Sequence, residues 1–332
     1  MKLSETLNEV NLTREDIVFL LKLNSPVDIA CLLERADLVR KESRSRNIDL
    51  HGLVKFSNHC EENCYYCKSR KDNFSIKRYR LSADEIIEIA KLYLSLGISN
   101  VILYSGLDYY YDTDMVSYII YSIKKDSNVS ITLSLGERKF DEYKAWRIAG
   151  AEKYLLRHKT ANRLLFSMHH NRDRLLERIN HLEMLKRSGY KIGTGCIVGL
   201  PSQTEEDIAD DILLCKRLGV EMVSFSRFLP QPFTPYQNKN IGSEIFVIKA
   251  IAVARLVLRD ADIPTYIIFN SDNINDGKKF LNNGANILSM NLTSQLPDTK
   301  DPKHIGPYAN NNSIDVSTLK ENIQSLLTYL AS

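Results

Sequence analysis

The chain of 332 residues has no apolar run close to the length of a membrane-spanning helix, about 20 residues, and its first residues, Met1 to Val10, are polar and acidic. No charge of one sign dominates either, because the chain has 44 Lys and Arg and 41 Asp and Glu. The Lys and Arg residues are spread along the whole sequence. This balance argues against a basic surface for nucleic acid or membrane. We therefore expect a cytoplasmic protein that binds neither nucleic acid nor a membrane and whose partner is a small-molecule substrate.

Cysteine is scarce, with six residues in the chain and none after Cys215. Cys31, Cys196 and Cys215 are scattered, which excludes the regular framework of a disulfide-rich protein. The other three fall within eight residues, at Cys60, Cys64 and Cys67. This clustering is typical of metal ligands.

From His51 onward, short apolar runs alternate with longer amphipathic ones, as in repeated βα units. Eight runs are predicted as strands: Gly52–Ser57, Asn100–Tyr104, Val129–Leu135, Lys153–Arg157, Lys191–Val198, Met222–Ser226, Thr265–Phe269 and Ile287–Met290. The helical pattern from Ser82 to Ser95 begins with Ser82 and Glu85 in capping-box spacing. The count predicts an α/β fold, a (βα)8 TIM barrel with its chemistry at the carboxyl ends of the strands.

Before the barrel, apolar residues recur at helical spacing from Asn11 to Ser45, with a break at Ser25 and Pro26. We therefore divide the chain into an N-terminal helical extension (1–47), the barrel (48–294), and a C-terminal closing segment with a helix (295–332).

The three clustered cysteines follow the first predicted strand with the spacing Cys-x3-Cys-x2-Cys. Because a 4Fe-4S cluster normally takes four thiolates, three ligands leave one iron open to a small molecule and hence to chemistry. A zinc site that recruits His59 as a fourth ligand, a structural cluster with a distant fourth cysteine, and a redox pair of Cys64 and Cys67 are the alternatives.

The cysteine triplet, with an aromatic residue just before its last member, resembles the radical S-adenosylmethionine (SAM) superfamily. Within it, the chain resembles the group of the FeFe-hydrogenase maturase HydE, methylornithine synthase (PylB) and biotin synthase, and HydE in particular. The similarity runs from about His51 to Thr293 and is carried by these stretches: Lys71–Asn73, Arg78–Arg80, Thr132–Glu137, Tyr154–His158, Val198–Pro201, Gln203–Thr204 and Gly284–Asn286. It implies a barrel of the radical SAM type that holds one 4Fe-4S cluster and SAM.

The resemblance also implies roles for individual residues. Cys60, Cys64 and Cys67 would be the metal ligands. The implied cofactor-binding residues are Tyr66 beside the adenine, Ser105 and Gly106 at the methionine group, Arg178 at the SAM carboxylate, and Asp108, Glu137 and Lys159. Thr132, Ser134 and Arg157 would face the substrate as catalytic residues.

The chain departs from the HydE pattern at several places around this site. Lys159 stands where HydE has a glutamate that touches SAM, and Leu107 replaces a carboxylate that resembles the SAM ammonium contact, for which Asp108 would substitute. Ser226-Arg227 replaces a Gly-Pro pair, and Arg227 would add a cation suited to a carboxylate or phosphate. These departures imply retained radical generation with a different substrate.

The resemblance as a whole implies a HydE-like enzyme that reductively cleaves SAM to a 5'-deoxyadenosyl radical, which acts on a small anionic or amino-acid-like substrate. A reductase, flavodoxin or ferredoxin would donate the electron. The alternatives are a PylB-like rearrangement of an amino-acid carbon skeleton and a noncatalytic carrier of an iron-sulfur cluster or metallo-ligand. Since no cysteine follows Cys215, the second cluster of some HydE chains and the sulfur-donating cluster of biotin synthase are not expected.

Overall fold

The computed structural model describes residues 2–43, 48–125, 127–170, 173–267 and 283–291, together with residues 320, 321, 323–325 and 328. Eight parallel strands form one sheet: β1 (Asp49–Lys55), β2 (Asn100–Tyr104), β3 (Ser130–Ser134), β4 (Lys153–Leu155), β5 (Lys191–Val198), β6 (Met222–Arg227), β7 (Pro264–Ile267) and β8 (Ile287–Met290). Their order in the sheet is β6-β5-β4-β3-β2-β1-β8-β7. The amide of Val223 donates to the carbonyl of Asp262, so β6 meets the chain just before β7 and the barrel is nearly closed.

Helices alternate with these strands. The chain begins with α1 (Lys2–Asn8), α2 (Arg14–Leu21) and α3 (Pro26–Ser43), and continues with α4 (Ala83–Ser95), α5 (Thr113–Lys124), α6 (Phe140–Ala149), α7 (Arg163–His170), α8 (Leu175–Arg187), α9 (Glu205–Leu218) and α10 (Glu244–Val257). The predicted capping box is confirmed, because Ser82 accepts from the amide of Glu85 and the Glu85 carboxylate accepts from the amide of Ser82. Within the described residues, no helix has the length and apolar character to cross a membrane.

Each strand is buried on both faces, and alternate residues point to the surrounding helices or into the barrel. On β4, Tyr154 belongs to the large core that packs against the helices. Leu155 instead joins Met222 and Ile287 in a separate small cluster. Leu155 and Met222 lie on strands β4 and β6, which β5 separates, so this cluster fills the barrel interior. Residues two positions along the chain from these three share the interior.

The N-terminal helices pack on the outside of the barrel. Ile17 and Leu20 of α2 and Ala36 of α3 belong to the same large core as the strands. The ammonium of Lys249, on α10, donates to the carbonyl oxygens of Leu21 and Leu23 just after α2. The helices of residues 2–43 and the barrel are therefore joined through one continuous core.

The predicted strands are all present, and the sequence placed three of them at their observed bounds: β2, β5 and β8. β1 begins three residues before its predicted start at Gly52, and β4 ends at Leu155, before the predicted Arg157. Phe269, the predicted end of the seventh strand, lies outside the described residues, as does the segment 295–319. The (βα)8 architecture is confirmed.

Candidate active site

The cysteine loop, residues 58–80, connects β1 to α4 at the carboxyl end of the barrel. Its three cysteines are free thiols. Burial, and after it the charge of Cys67, raises the pKa of Cys64 to about 12, while the cations Lys159 and Arg178 act to lower it. Burial also raises the pKa of Cys60. Thiols that are costly to ionise in the free protein become thiolates readily once iron supplies the positive charge.

One guanidinium organises this loop. Arg78 donates to four backbone carbonyls, those of Asn58, Ser69, Arg70 and Asn73, at 2.5–3.1 Å. Five fixed donors in a plane allow a single arginine to hold several segments of chain together. The sequence grouped Arg78 with the motif stretches, but this structural role becomes visible only in the fold.

Gly106, after β2, packs directly against the cysteine loop. A Cβ atom at this position would lie 2.2 Å from the carbonyl oxygen of His59 and 2.8 Å from Cβ of Cys60. The next amide, that of Leu107, donates to Sγ of Cys60 at 3.4 Å. An N–H group directed at a ligand sulfur is a means of tuning an iron-sulfur cluster, so this loop fits the thiolate of Cys60 as a ligand.

The three thiols of the cysteine loop do not converge on a single point. Across the described residues, no three His, Cys, Asp or Glu side chains converge closely enough to hold a single metal ion. A zinc ion requires its four ligands around one centre, whereas in a 4Fe-4S cluster each thiolate binds a different iron. Three thiols that share one loop without converging on one point suit a cluster in which each thiolate binds its own iron.

The carboxylate of Asp108 is bound by other side chains of the protein. Its carboxylate pairs with Arg80 through two hydrogen bonds of 2.8 and 2.9 Å and accepts a third from the hydroxyl of Ser57 at 2.6 Å. Arg80 and Ser57, with the amide of Tyr110, hold the pKa of Asp108 below its ordinary value despite burial. These bonds tie the loop after β2 to the cysteine loop. In the same loop after β2, the hydroxyl of Ser105 donates to the carbonyl of Gly106 at 2.7 Å.

A buried ionic group lies beside the cysteine loop. Oε1 of Glu137 is 2.7 Å from Nε of Arg178, and Oε2 is 3.4 Å from Nη2 of Arg174. The angle at the first contact is outside hydrogen bonding, which leaves both buried atoms without a hydrogen-bond partner. Arg178 also donates to the carbonyl of Arg157 at 3.3 Å. Glu137 and Arg178 thus form a buried ion pair beside the cysteine loop.

Arg157 and Lys159 follow β4 at the barrel mouth. The guanidinium of Arg157 donates to Oγ of Ser226 at 2.8 Å. Lys159 has a φ of +77°, which is rare for a residue with a side chain. Its backbone is held by hydrogen bonds to Gly195 and Ile197, at 2.9 and 3.0 Å. Burial, followed by the charges of Arg157 and Arg178, lowers the pKa of Lys159 to about 7.

The two hydroxyl residues of β3 lie at different depths. Ser134, the last residue of the strand, donates to the carbonyl of Leu155 at 3.0 Å and lies in register with Tyr104. Thr132 is buried two residues deeper and lines a small cavity with Lys153, Met222 and Asp262, near the amino ends of the strands. Ser134 is therefore at the level of the mouth, while Thr132 is near the base.

Tyr66 is held by a histidine that the sequence did not single out. Nδ1 of His170 lies 2.8 Å from the carbonyl of Phe166, so this nitrogen carries the proton and Nε2 accepts from the Tyr66 hydroxyl at 2.7 Å. Burial lowers the pKa of His170 to about 3, which keeps the acceptor available. No motif signals this contact, because the two residues lie 104 positions apart in the sequence.

Arg227 does not contribute to the mouth as predicted. It follows the inward-facing Ser226 on β6, and alternation along a strand turns it away from the barrel. Its guanidinium donates to the carbonyl of Gly242 at 2.6 Å and pairs with Glu244 at 3.1 Å. Arg227 therefore binds groups at the start of α10 and does not line the mouth.

The geometry places the predicted site residues, except Thr132, at one end of the barrel. The sequence profile of the radical SAM superfamily matches residues 54–215. The [FeFe] hydrogenase maturase subunit HydE of Thermotoga maritima is 37% identical over 289 residues, which are 87% of this chain and 83% of that one. The 3-methylornithine synthase of Methanosarcina acetivorans is 28% identical over 90% of this chain and 83% of its own.

Among solved structures, the crystal structure of methylornithine synthase (PylB) matches with a TM-score of 0.83 at 24% identity, over 98% of this chain and 95% of that one. This likeness supports the fold. The cysteine spacing, the barrel, the profile and the similarity to HydE agree, and the chain belongs to the radical SAM superfamily, whose enzymes use a 4Fe-4S cluster and SAM.

Proposed function

We propose that this radical SAM enzyme is HydE-like in the way it binds SAM and that it acts on a small anionic or amino-acid-like substrate bound in the upper barrel. The observation that carries the proposal is the group of cations at the mouth, Arg157, Lys159 and Arg178, next to the cysteine loop. Charged donors at the end of a barrel are suited to bind carboxylates.

Cys60, Cys64 and Cys67 would hold the cluster, and the loop fixed by Arg78 would present them. When bound, the cluster supplies the electron that cleaves SAM at its open iron into methionine and a 5'-deoxyadenosyl radical. The protein's part is to position SAM and to exclude water from the reacting groups. The half-buried thiols and the close packing of Gly106 against the loop support this role.

For SAM, Arg178 would bind the carboxylate with the N–H groups that Glu137 does not use, and Glu137 would hold the guanidinium in place. Tyr66, oriented by His170, would lie by the adenine, and Ser105 and Gly106 would face the methionine group. We propose that Asp108 acts as a positioning residue for these loops, because Arg80 and Ser57 use its oxygens.

On the substrate side, Arg157 would bind the anionic group, with Ser226 orienting its guanidinium. Ser134 at the mouth would contact the substrate. Thr132, at the base, would contact only a substrate that reaches deep into the barrel. At the position of Lys159, HydE has a carboxylate that contacts SAM. In this chain the ammonium of Lys159 would contact an anion instead.

We further propose a cytoplasmic enzyme in which helices 1–47 buttress the barrel, residues 48–294 form it and residues 295–332 close it. An external donor, a flavodoxin, ferredoxin or reductase, would deliver the electron. Members of the superfamily use small-molecule substrates and an external electron donor.

The test is anaerobic reconstitution with iron and sulfide, followed by electron paramagnetic resonance of the reduced protein with and without SAM, and chromatography for 5'-deoxyadenosine. The expected result is a 4Fe-4S signal that changes on addition of SAM, together with deoxyadenosine formation. Cys64→Ala should lose both, while Cys31→Ala, at an exposed cysteine on α3, should keep both. A cluster signal that SAM leaves unchanged, without deoxyadenosine, would support a noncatalytic carrier instead.

A further inference from the structure

Phe74, in the cysteine loop, lies almost wholly in solvent. It is 89% exposed, more than any other large apolar residue in the described part of the chain. Single exposed apolar residues are common on protein surfaces, so exposure alone does not indicate a function. Phe74 differs from the others because it follows Cys67 by seven residues, in the loop that carries the three thiols.

The backbone at Phe74 is fixed on both sides. The buried side chain of Asn73 donates to the carbonyl of Lys68 at 2.9 Å and accepts from the amide of Ser75 at 3.2 Å. The carbonyl of Asn73 accepts from the guanidinium of Arg78 at 3.1 Å. An exposed ring on a backbone that is already held loses little conformational freedom when a partner binds, which favours it as a docking residue.

The segment that presents this ring packs against the chain around the ligand cysteines. The amide of Lys71 donates to the carbonyl of Glu62 at 2.8 Å. Asp72 and Asn63 exchange two hydrogen bonds, of 2.8 and 3.0 Å. Since Asn63 immediately precedes Cys64, the exposed ring is fastened to the residues that carry the thiols.

The cysteine loop is also basic. It contains six Lys and Arg and three Asp and Glu, so residues 58–80 alone carry a formal charge of +3, which is the value for the whole chain. Lys71 and Lys77, on either side of Phe74, are exposed, although Lys71 also pairs with Glu61 at 2.6 Å. A surface of this sign attracts an acidic partner and orients it during approach.

An electron donor is the partner that the position of this surface favours. Members of the superfamily use an external electron donor, and because electron transfer slows steeply with distance, the donor must dock close to the ligands of the cluster. The path from Phe74 to Cys67 is short. The Asn73 side chain donates to the carbonyl of Lys68, which directly follows Cys67, so the path contains covalent bonds and a single hydrogen bond.

Resting on the proposed function, we propose that Phe74 and the lysines beside it form the docking site for an acidic one-electron carrier protein. The ring packs against an apolar area of the carrier, and Lys71 and Lys77 face carboxylates at the rim of the contact. In the step that follows, the carrier loses one electron and the cluster gains it, and no bond forms or breaks.

The first experiment measures binding of the anaerobically reconstituted protein to an immobilised flavodoxin and to an immobilised ferredoxin, both with acidic surfaces, by biolayer interferometry. At least one of the two should bind, and more weakly as the salt concentration rises. Phe74→Ser should weaken this binding about tenfold or more, because it removes the aromatic ring from the centre of the contact. Phe74→Trp should retain it.

Lys77→Gln should weaken binding by up to about fivefold and reduce its dependence on salt, as expected for a charge at the rim of a contact. The matched controls are Ile148→Ser, at a residue of α6 that is 87% exposed, and Lys91→Gln, at an exposed lysine of α4. Both should bind the carrier as the wild type does. Iron content and circular dichroism of each variant show that it carries its cluster and folds.

The rate of cluster reduction, followed by absorbance in stopped flow, separates a defect in docking from damage to the cluster. With limiting amounts of the reduced carrier, Phe74→Ser should be reduced about tenfold more slowly than the wild type, in parallel with its weaker binding. Dithionite is a small reductant that needs no docking site, so it should reduce both proteins at the same rate.

Three results would overturn the proposal: neither carrier binds the wild type, Phe74→Ser binds and is reduced by the carrier as the wild type is, or Phe74→Ser is also reduced slowly by dithionite. Deoxyadenosine formation by the wild type with dithionite reports on the proposed function separately. Its absence would reject radical chemistry, whereas its presence together with unchanged carrier binding in Phe74→Ser would reject the docking site alone.

Discussion

At the scale of single residues, the site depends on contacts too close or too specific for a pattern to reveal. Gly106 is an example, since its sequence context resembles the SAM-binding stretch but its packing against His59 and Cys60 is a fact of the fold. Such positions tolerate no added atom when the neighbouring atoms are backbone.

We predict that Gly106→Ala loses most of its capacity to bind the cluster. The new Cβ would lie 2.2 Å from the His59 carbonyl oxygen, so the cysteine loop must move away. Iron and sulfide content after reconstitution is the measurement, with circular dichroism to show an intact barrel. A variant that incorporates wild-type amounts of iron would show that the loop adapts to the added atom.

Three buried histidines should make stability fall in acid. Burial lowers the pKa values of His51 and His169 to about 4 and that of His170 to about 3, all below the ordinary 6.5. As the pH falls from 6.5 towards these values, the unfolded chain takes up protons that the folded protein does not. The contribution of the neutral histidines to the free energy of unfolding is therefore present at neutral pH and is lost as the pH falls.

His170→Gln removes one of these titrations. Between pH 6.5 and 5, the free energy of unfolding of the His170→Gln variant should fall by about 1–2 kcal/mol less than that of the wild type. The reason is that one proton corresponds to about 1.36 kcal/mol per pH unit. Urea unfolding at several pH values measures this. Parallel curves for the two proteins would mean that His170 is protonated in the folded state over this range.

At the scale of elements, hydrophobic alternation and capping predicted the strands and α4 because these signals are local. The ends of β1 and β4 differed from prediction, since pairing with neighbouring strands decides where a ladder stops. The cysteine loop is an element of another kind: it has little regular structure and is held by Arg78.

Arg78→Met should disorganise the loop while the barrel stays folded. It removes the donors to four carbonyls, so iron incorporation should fall several-fold or more with little change in far-ultraviolet circular dichroism. Lys71→Met is the matched control, because the Lys71–Glu61 pair of the same loop is exposed and such pairs contribute little. Equal iron content in both variants would contradict the role given to Arg78.

At the scale of the whole molecule, the N-terminal helices and the barrel share one core, so we expect them to unfold together. Lys249→Met leaves the carbonyls of Leu21 and Leu23 without their donor and should lower the free energy of unfolding by about 1–3 kcal/mol. Lys22→Met, which breaks the exposed pair with Glu206, should cost less than about 1 kcal/mol.

Denaturant unfolding followed by circular dichroism and by tryptophan fluorescence tests both expectations, because Trp146 lies in α6, on the barrel. Coincident transitions are expected, and Lys249→Met should shift both. If the circular dichroism of Lys249→Met instead shows an early transition that Trp146 does not follow, the helices fold as a separate unit.

The sequence by itself determined the family, the eightfold alternation and the three thiols, because the spacing of cysteines in one loop and the period of apolar residues are local properties of the chain. Tertiary structure decided which charges meet. The Arg227 side chain turned away from the mouth to Gly242 and Glu244, and the Asp108 carboxylate paired with Arg80. The reason is physical: strand register and side-chain alternation set the direction of each group, and both arise only when the barrel closes.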